Sequence, residues 1–286
     1  MSEQQTTLTD GRTLAWYEFG DPAGRPVLFL PGSSSSGLAG RPLDDAVRDA
    51  GIRLIALDRP GLGRSDLAPA RRLADWPADV AQLLDGLQLD RVALLGHSAG
   101  GAFALAVAHG VPQRVSATVV CAGSGPYSEG WFRDAADMSR TSRFYYGLAL
   151  RAPRMFGTIM QSGTPRSAAG IDRTLALVSR GDSPDAEFAR TNPERMRAAL
   201  EATADGFRRG PAGTTAEARM ICSPWGFAVE DVQAPVDWWH GEEDANVKPA
   251  AGRAMVARLP DATPHFVPGG HSLLFAQTAE VLASLG

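Results

Sequence analysis

The chain has 286 residues, 44% of them hydrophobic, and a formal charge of −4, enough to bury roughly three quarters of its unfolded surface as one large domain without staples. The mild acidity and the lack of a basic block exclude a nucleic-acid partner, and Cys121 and Cys222 lack metal-ligand spacing or a disulfide pattern. The polar start carries no secretory signal and no run is long enough to cross a bilayer, so a cytoplasmic protein with no membrane partner is expected.

Residues 6–8 and 13–19 alternate around Asp10-Gly11, a pair favoured in tight hairpins, and predict two antiparallel strands. From residue 27 onward, short runs rich in Val, Ile and Leu alternate with helical spacing. Residues 27–30, 52–57, 92–95, 115–121 and 236–239 read as buried strands, and 43–50, 77–87 and 101–109 read as helices. This alternation predicts an α/β fold, a mostly parallel eight-stranded sheet with helices on both faces. The pattern stops after Cys121 and resumes at Pro235. Residues 125–232 are helical in composition, rich in Arg and aromatic residues, and read as a helical cap inserted into a core made of 1–124 and 233–286. Breaks at Pro153, Gly163-Thr164-Pro165, Pro184, Pro193 and Gly210-Pro211 predict four or five short cap helices. A helix over 249–258, a strand over 263–267 and a helix over 272–285 complete the sheet.

Gly96-His97-Ser98-Ala99-Gly100 lies between the strand at 92–95 and the helix at 101–109. A serine hydroxyl is a weak nucleophile and must be presented with little cover, which a tight turn flanked by glycines achieves. The helix N-terminus behind it supplies free N–H groups suited to a developing oxyanion. A base and an orienting acid are then required. Of five histidines, His97 is adjacent to Ser98 and cannot easily turn back, His109 closes a helix, His240 ends a strand and His265 lies within one. His271 remains, in a loop after the last strand, where parallel sheets gather functional groups. The acid is sought in the loop His240 to Asp244, where Asp244 is preferred over Glu242 and Glu243 because it lies a full turn beyond the strand. Ala99 N–H and Ser33 N–H, the latter in the serine-rich loop after residue 30, are the candidate oxyanion donors, with the Ser33 and Ser34 hydroxyls available to assist. Trp131, Tyr145, Met160 and Trp225 are candidates to wall a substrate pocket, although any one of them can equally pack the cap on itself.

In the order Ser98, Asp244, His271, these residues resemble the α/β-hydrolase superfamily. Asp58-Arg59-Pro60-Gly61-Leu62-Gly63-Arg64-Ser65 resembles that family's glycine-rich turn after its fourth strand, whereas Pro31-Gly32 stands where many relatives read His-Gly. The resemblance implies ester hydrolysis through an acyl-enzyme at Ser98, on a small and largely apolar substrate, with no cofactor and no metal. Serine at the elbow argues against the epoxide hydrolases and haloalkane dehalogenases, which carry aspartate there. Lactonase, thioesterase and carbon–carbon bond hydrolase activities use the same triad. An aminopeptidase of the proline-iminopeptidase type would need Glu201, Asp205 or Glu217 to bind an amine, but arginines surround them and they read as a solvated helix face. A non-catalytic ligand-binding protein is the alternative of another class. Oligomeric state is not legible in the sequence.

Overall fold

The computed structural model describes residues 1–68, 71–135 and 140–286, without the side chains of residues 135 and 140–142. β1 (Ser2–Thr7) and β2 (Thr13–Gly20) form the hairpin, with Thr7 opposite Thr13. β3 (Arg25–Leu30), α1 (Asp44–Asp49), β4 (Ile52–Asp58), α2 (Trp76–Gly86), β5 (Val92–His97), α3 (Ala99–Gly110) and β6 (Val115–Cys121) follow. After a helical stretch come β7 (Val236–Gly241), α11 (Pro249–Val256), β8 (Ala262–Val267), α12 (Leu273–Ala276) and α13 (Thr278–Ala283). One sheet of eight strands results, in the order β1-β2-β4-β3-β5-β6-β7-β8. β1 and β2 are antiparallel to their neighbours and every other pairing is parallel.

The continuous apolar runs of the central strands have a simple cause, since helices cover both faces and alternate residues enter different cores. Leu28, Leu30, Ile55, Leu57, Val92 and Leu94 join one cluster with α2 and α3. Val27, Phe29, Leu54, Ala56, Ala93 and Leu95 join the other, with α1 and the C-terminal helices. Each strand residue is thus committed to one face, and a polar substitution on either would be buried. The expected helix at 272–285 is two helices. Gln277 leaves the helical region at φ −120 and ψ 46, and the Thr278 hydroxyl donates to the Leu274 carbonyl at 2.9 Å.

Between β6 and β7 the described residues hold α4 (Gly130–Ala135), α5 (Arg140–Arg151), α6 (Pro153–Gly163), α7 (Ala168–Val178), α8 (Pro184–Thr191), α9 (Pro193–Gly206) and α10 (Ala212–Cys222). Pro153, Pro184 and Pro193 each open a helix, where the missing N–H costs nothing. Seven helices exceed the four or five expected, in part because a joint can be one residue long. Ala152 at φ −137, ψ 62 and Asn192 at φ −130, ψ 57 turn the chain on their own, driven out of the helical region by the proline that follows. Among the described residues, no helix is long and apolar enough to cross a membrane.

α10 is seated directly on the glycine-rich turn that follows β4. A Cβ on Gly213 would fall 2.0 Å from the Gly61 carbonyl oxygen, and Gly61 itself sits at φ +83, so both positions need glycine. Beside this contact the Arg59 guanidinium pairs with Glu217 of α10 at 2.6 Å, and both side chains are buried. Arg59 also donates to the carbonyls of Pro31 and Gly32, and the other Glu217 oxygen accepts from Ser34 N–H at 2.9 Å. Glu217 is therefore no part of a solvated helix face, because its charge is matched inside the protein. Removing one partner of such a pair strands the other charge in low dielectric. Glu217→Ala is expected to lower unfolding free energy by about 3–5 kcal/mol, read as a lower urea midpoint with an unchanged slope.

Candidate active site

β5 runs into α3 through Ser98, whose φ of 53 and ψ of −122 lie where side-chain-bearing residues seldom sit, at a cost of about 1–3 kcal/mol. Its surroundings enforce this geometry. Ser98 N–H donates to the Cys121 carbonyl at 2.9 Å and Gly101 N–H to the Ser98 carbonyl at 3.0 Å. A Cβ on Gly100 would lie 1.9 Å from the Leu30 carbonyl oxygen, and one on Gly96 2.8 Å from that of Gly100. The turn can be this tight only with glycine at both positions.

His271 Nε2 lies 3.1 Å from Ser98 Oγ, and His271 Nδ1 lies 2.8 Å from Asp244 Oδ2. An ionised carboxylate only accepts, so Nδ1 carries the proton and the Nε2 lone pair faces the serine hydroxyl. Asp244 Oδ1 accepts from the Asn246 and Val247 amides at 2.8 and 2.9 Å. Burial works against the Asp244 charge, but His271, the Val247 amide and His240 outweigh it and hold the carboxyl below the usual carboxylate value. His240, buried and pushed downward in pKa by that burial, donates Nε2–H to the Val247 carbonyl at 2.8 Å and so braces the same loop. The neighbouring acids go elsewhere, Glu242 to Arg253 at 2.5 Å and Glu243 toward Gly269 N–H at 3.4 Å.

One residue at this site was not singled out by the sequence. Asp185, in the first turn of α8, accepts from His271 N–H at 3.1 Å and from Ser272 N–H at 2.7 Å. A Cβ on Gly270 would sit 2.6 Å from that carboxylate. The backbone of the His271 loop is thus tied to the inserted helices. In sequence, the run Ser183-Pro184-Asp185 reads only as an ordinary helix start.

His97 donates Nε2–H to the His271 carbonyl at 3.1 Å. Burial, and then the nearby His271, push its pKa down to about 4, so no second positive charge builds beside an imidazolium on His271. The unfolded His97 takes up a proton near pH 6.5 whereas the folded one does so near 4. The associated stability, on the order of 3 kcal/mol, is present above pH 6.5 and lost as the pH falls towards 4. Asp58, whose carboxyl burial raises to about 6, works in the opposite sense across the lower part of this window. The informative quantity is therefore the difference between wild type and His97→Gln, whose urea midpoint is expected to fall less than that of wild type between pH 7 and pH 4.5.

A cavity of about 410 Å³ opens on Ser98. Ser33 and Ala99 line it with Ser98, and among the described residues neither the Ser33 nor the Ala99 N–H has a protein acceptor. A Cβ on Gly32 would lie 3.6 Å from that of Ser98, which places the serine-rich loop beside the elbow. Tyr145 and Met160 line the cavity, together with Tyr146, Ala149 and Phe156 of α5 and α6 and Ile221 and Cys222 of α10. Burial pushes the Tyr146 hydroxyl and the Cys222 thiol up to about 12, so both are neutral walls.

Trp131 and Trp225 do not reach this cavity and line a separate one. Trp225 is buried, donates Nε1–H to the Ile221 carbonyl at 2.9 Å and packs on Phe227. Trp131 stands edge-on to Phe132 beneath the Arg258 guanidinium. Both are packing residues at the base of the insertion, and the expectation that they wall the pocket is corrected accordingly. Of the three acids weighed as amine ligands, Glu201 pairs with Arg41 at the surface, Asp205 pairs with Arg208, and Glu217 alone lines the cavity. Among the described residues no group of three or more His, Cys, Asp or Glu side chains is placed to hold a metal ion.

Comparison with known proteins adds four findings. A family model described as alpha/beta hydrolase fold matches residues 25–277. The dihydrolipoyllysine-residue acetyltransferase component of the acetoin cleaving system of Pseudomonas putida is 39% identical over 125 residues, 42% of this chain and 33% of that protein. A 2-hydroxy-6-oxononadienedioate/2-hydroxy-6-oxononatrienedioate hydrolase of Paraburkholderia phymatum is 34% identical over 129 residues, 43% of this chain and 44% of that protein. The chain thus spans between a third and a half of the length of these curated relatives. Among solved structures, an esterase from Rhodococcus sp. ECU1013 superposes with a TM-score of 0.70 at 21% identity, covering 100% of both chains.

Proposed function

The chain belongs to the alpha/beta hydrolase fold family, and from that premise we propose that it is a serine hydrolase cleaving a carboxylic ester of a small, largely apolar substrate. The observation that carries this reading is the hydrogen-bonded chain from Ser98 through His271 to Asp244, at 3.1 and 2.8 Å, opening on a cavity of about 410 Å³. His271 Nε2 takes the Ser98 proton as Oγ attacks the ester carbonyl, and Asp244 stabilises the resulting imidazolium. The Ala99 and Ser33 amides receive the oxyanion, a contribution of about 3 kcal/mol each by comparison with other oxyanion donors. His271 then gives its proton to the departing alcohol. A water deprotonated by the same nitrogen attacks the acyl-enzyme, and the acid leaves with Ser98 restored.

Residues 125–232 act in this reading as a cap. Its helices α5, α6 and α10 supply most of the cavity walls, and apolar walls around a few placed polar groups suit a small acyl or alkyl chain. The amine-binding alternative is disfavoured because Glu217, the one acid of the three at the cavity, is already paired with Arg59. The test is a panel of esters graded by acyl and alkyl length, assayed with the purified protein. Turnover of short to medium esters is expected. Binding of such esters without turnover of any would favour a non-catalytic ligand-binding role instead.

A further inference from the structure

Thr214, Glu217, Ala218 and Ile221 follow one another at helical spacing along α10 and present one face to the cavity. Most of the cavity lining is apolar, but Thr214 of this face and Ser34 of the loop after β3 bring hydroxyls to it. Among the described residues, Ser34 Oγ and Thr214 Oγ1 are buried without a hydrogen-bond partner, and both residues line the cavity. The neighbouring hydroxyls of the same loop are satisfied, Ser35 by Thr203 at 3.2 Å and Ser36 by the Ala202 carbonyl at 3.3 Å. Two buried hydroxyls without a protein partner are costly unless something that enters the cavity pairs with them.

We infer that Ser34 and Thr214 form a polar subsite that hydrogen-bonds an uncharged oxygen function of the substrate, a hydroxyl or carbonyl remote from the scissile ester. The charge balance of the wall selects a neutral group. Both Glu217 oxygens are occupied, by Ser34 N–H and by Arg59, so no carboxylate is free for an ammonium. Arg59 does not line the cavity, and its guanidinium is turned toward Glu217 and the Pro31 and Gly32 carbonyls, so it presents no donor to a substrate carboxylate, which would also face the Glu217 charge. The subsite deepens the ester-hydrolase reading and rests on it for the identity of the scissile bond. It sits on a rigid support, because Gly213 against Gly61 and Glu217 against Arg59 fix α10 to the turn after β4.

The experiment compares matched esters that differ by one hydroxyl, a hydroxybutanoate against a butanoate ester of the same alcohol, and a hydroxybutyl against a butyl ester of the same acid. The readout is the ratio of kcat/KM for the hydroxylated member over the plain one. Wild type is expected to favour a hydroxylated ester. Thr214→Val, which keeps the shape, is expected to cut the ratio by about tenfold, with Ser34→Ala in the same direction and Thr214→Ser restoring it. An equal ratio in wild type, Thr214→Val and Thr214→Ser overturns the subsite. Binding of the same esters to a Ser98→Ala protein, measured by calorimetry, separates this outcome from failure of the hydrolase reading. A preference for the hydroxylated ester that Thr214→Val abolishes upholds the subsite whatever Ser98 does, and equal binding removes it.

Discussion

Ser98→Ala is expected to lower kcat by roughly a million-fold, to a residue of activity supplied by the oxyanion donors and binding alone. The fold has little stake in this hydroxyl. Among the described residues its side chain hydrogen-bonds His271 alone, and alanine inherits the same backbone at φ 53, so the thermal midpoint should move by no more than about 2 °C. Loss of activity with an intact fold is the signature of a nucleophile. A variant that retained a tenth of wild-type turnover would show that the hydroxyl is not the attacking group.

Asp244→Asn is expected to lower kcat by about ten-thousand-fold at neutral pH while KM changes little. The geometry says which way the amide turns. Asn246 and Val247 N–H both donate to Asp244 Oδ1, and His240 Nε2–H stands 3.6 Å from Oδ2. An asparagine keeps its oxygen on the two amides and presents its NH2 to His271 Nδ1. That forces the proton of a neutral imidazole onto Nε2, where it points at Ser98 and cannot accept. Steady-state kinetics gives the magnitude, and nitrogen NMR of His271 gives the tautomer. Retention of the Nδ1–H form in the variant would contradict the role assigned to Asp244.

The sheet was legible because its signal is local. Runs such as Val92 to Leu95 are apolar at every position, and helices covering both faces give each residue its own core. The convergence of Ser98, Asp244 and His271 could be read ahead of the coordinates because the three lie in loops after β5, β7 and β8, at the end of a parallel sheet where loops gather. Their choice among neighbours also had a local basis. Glu242 and Glu243 follow β7 too closely to turn inward, and they remain on the surface beside Arg253 and Gly269. The inserted helices were harder. Composition marks Trp131, Tyr145, Met160 and Trp225 alike as large and apolar, and only the docking of α5, α6 and α10 separates the pair at this cavity from the pair at the other. The same long-range docking hid the burial of Glu217, whose arginine partner lies 158 positions away, and the reach of Asp185 to the His271 loop. Helix count failed for a smaller reason, since one-residue joints at Ala152 and Asn192 leave almost no loop signature.

The central claim is that His271, held by Asp244, makes the Ser98 hydroxyl reactive. Intact-mass and peptide analysis after exposure to a fluorophosphonate probe tests it most directly. Wild type is expected to gain a single adduct that maps to Ser98, Ser98→Ala to gain none, and His271→Ala to react far more slowly. Hydrolysis of esters by a wild-type protein that takes up no adduct at Ser98, or that carries it on another residue, would contradict the account.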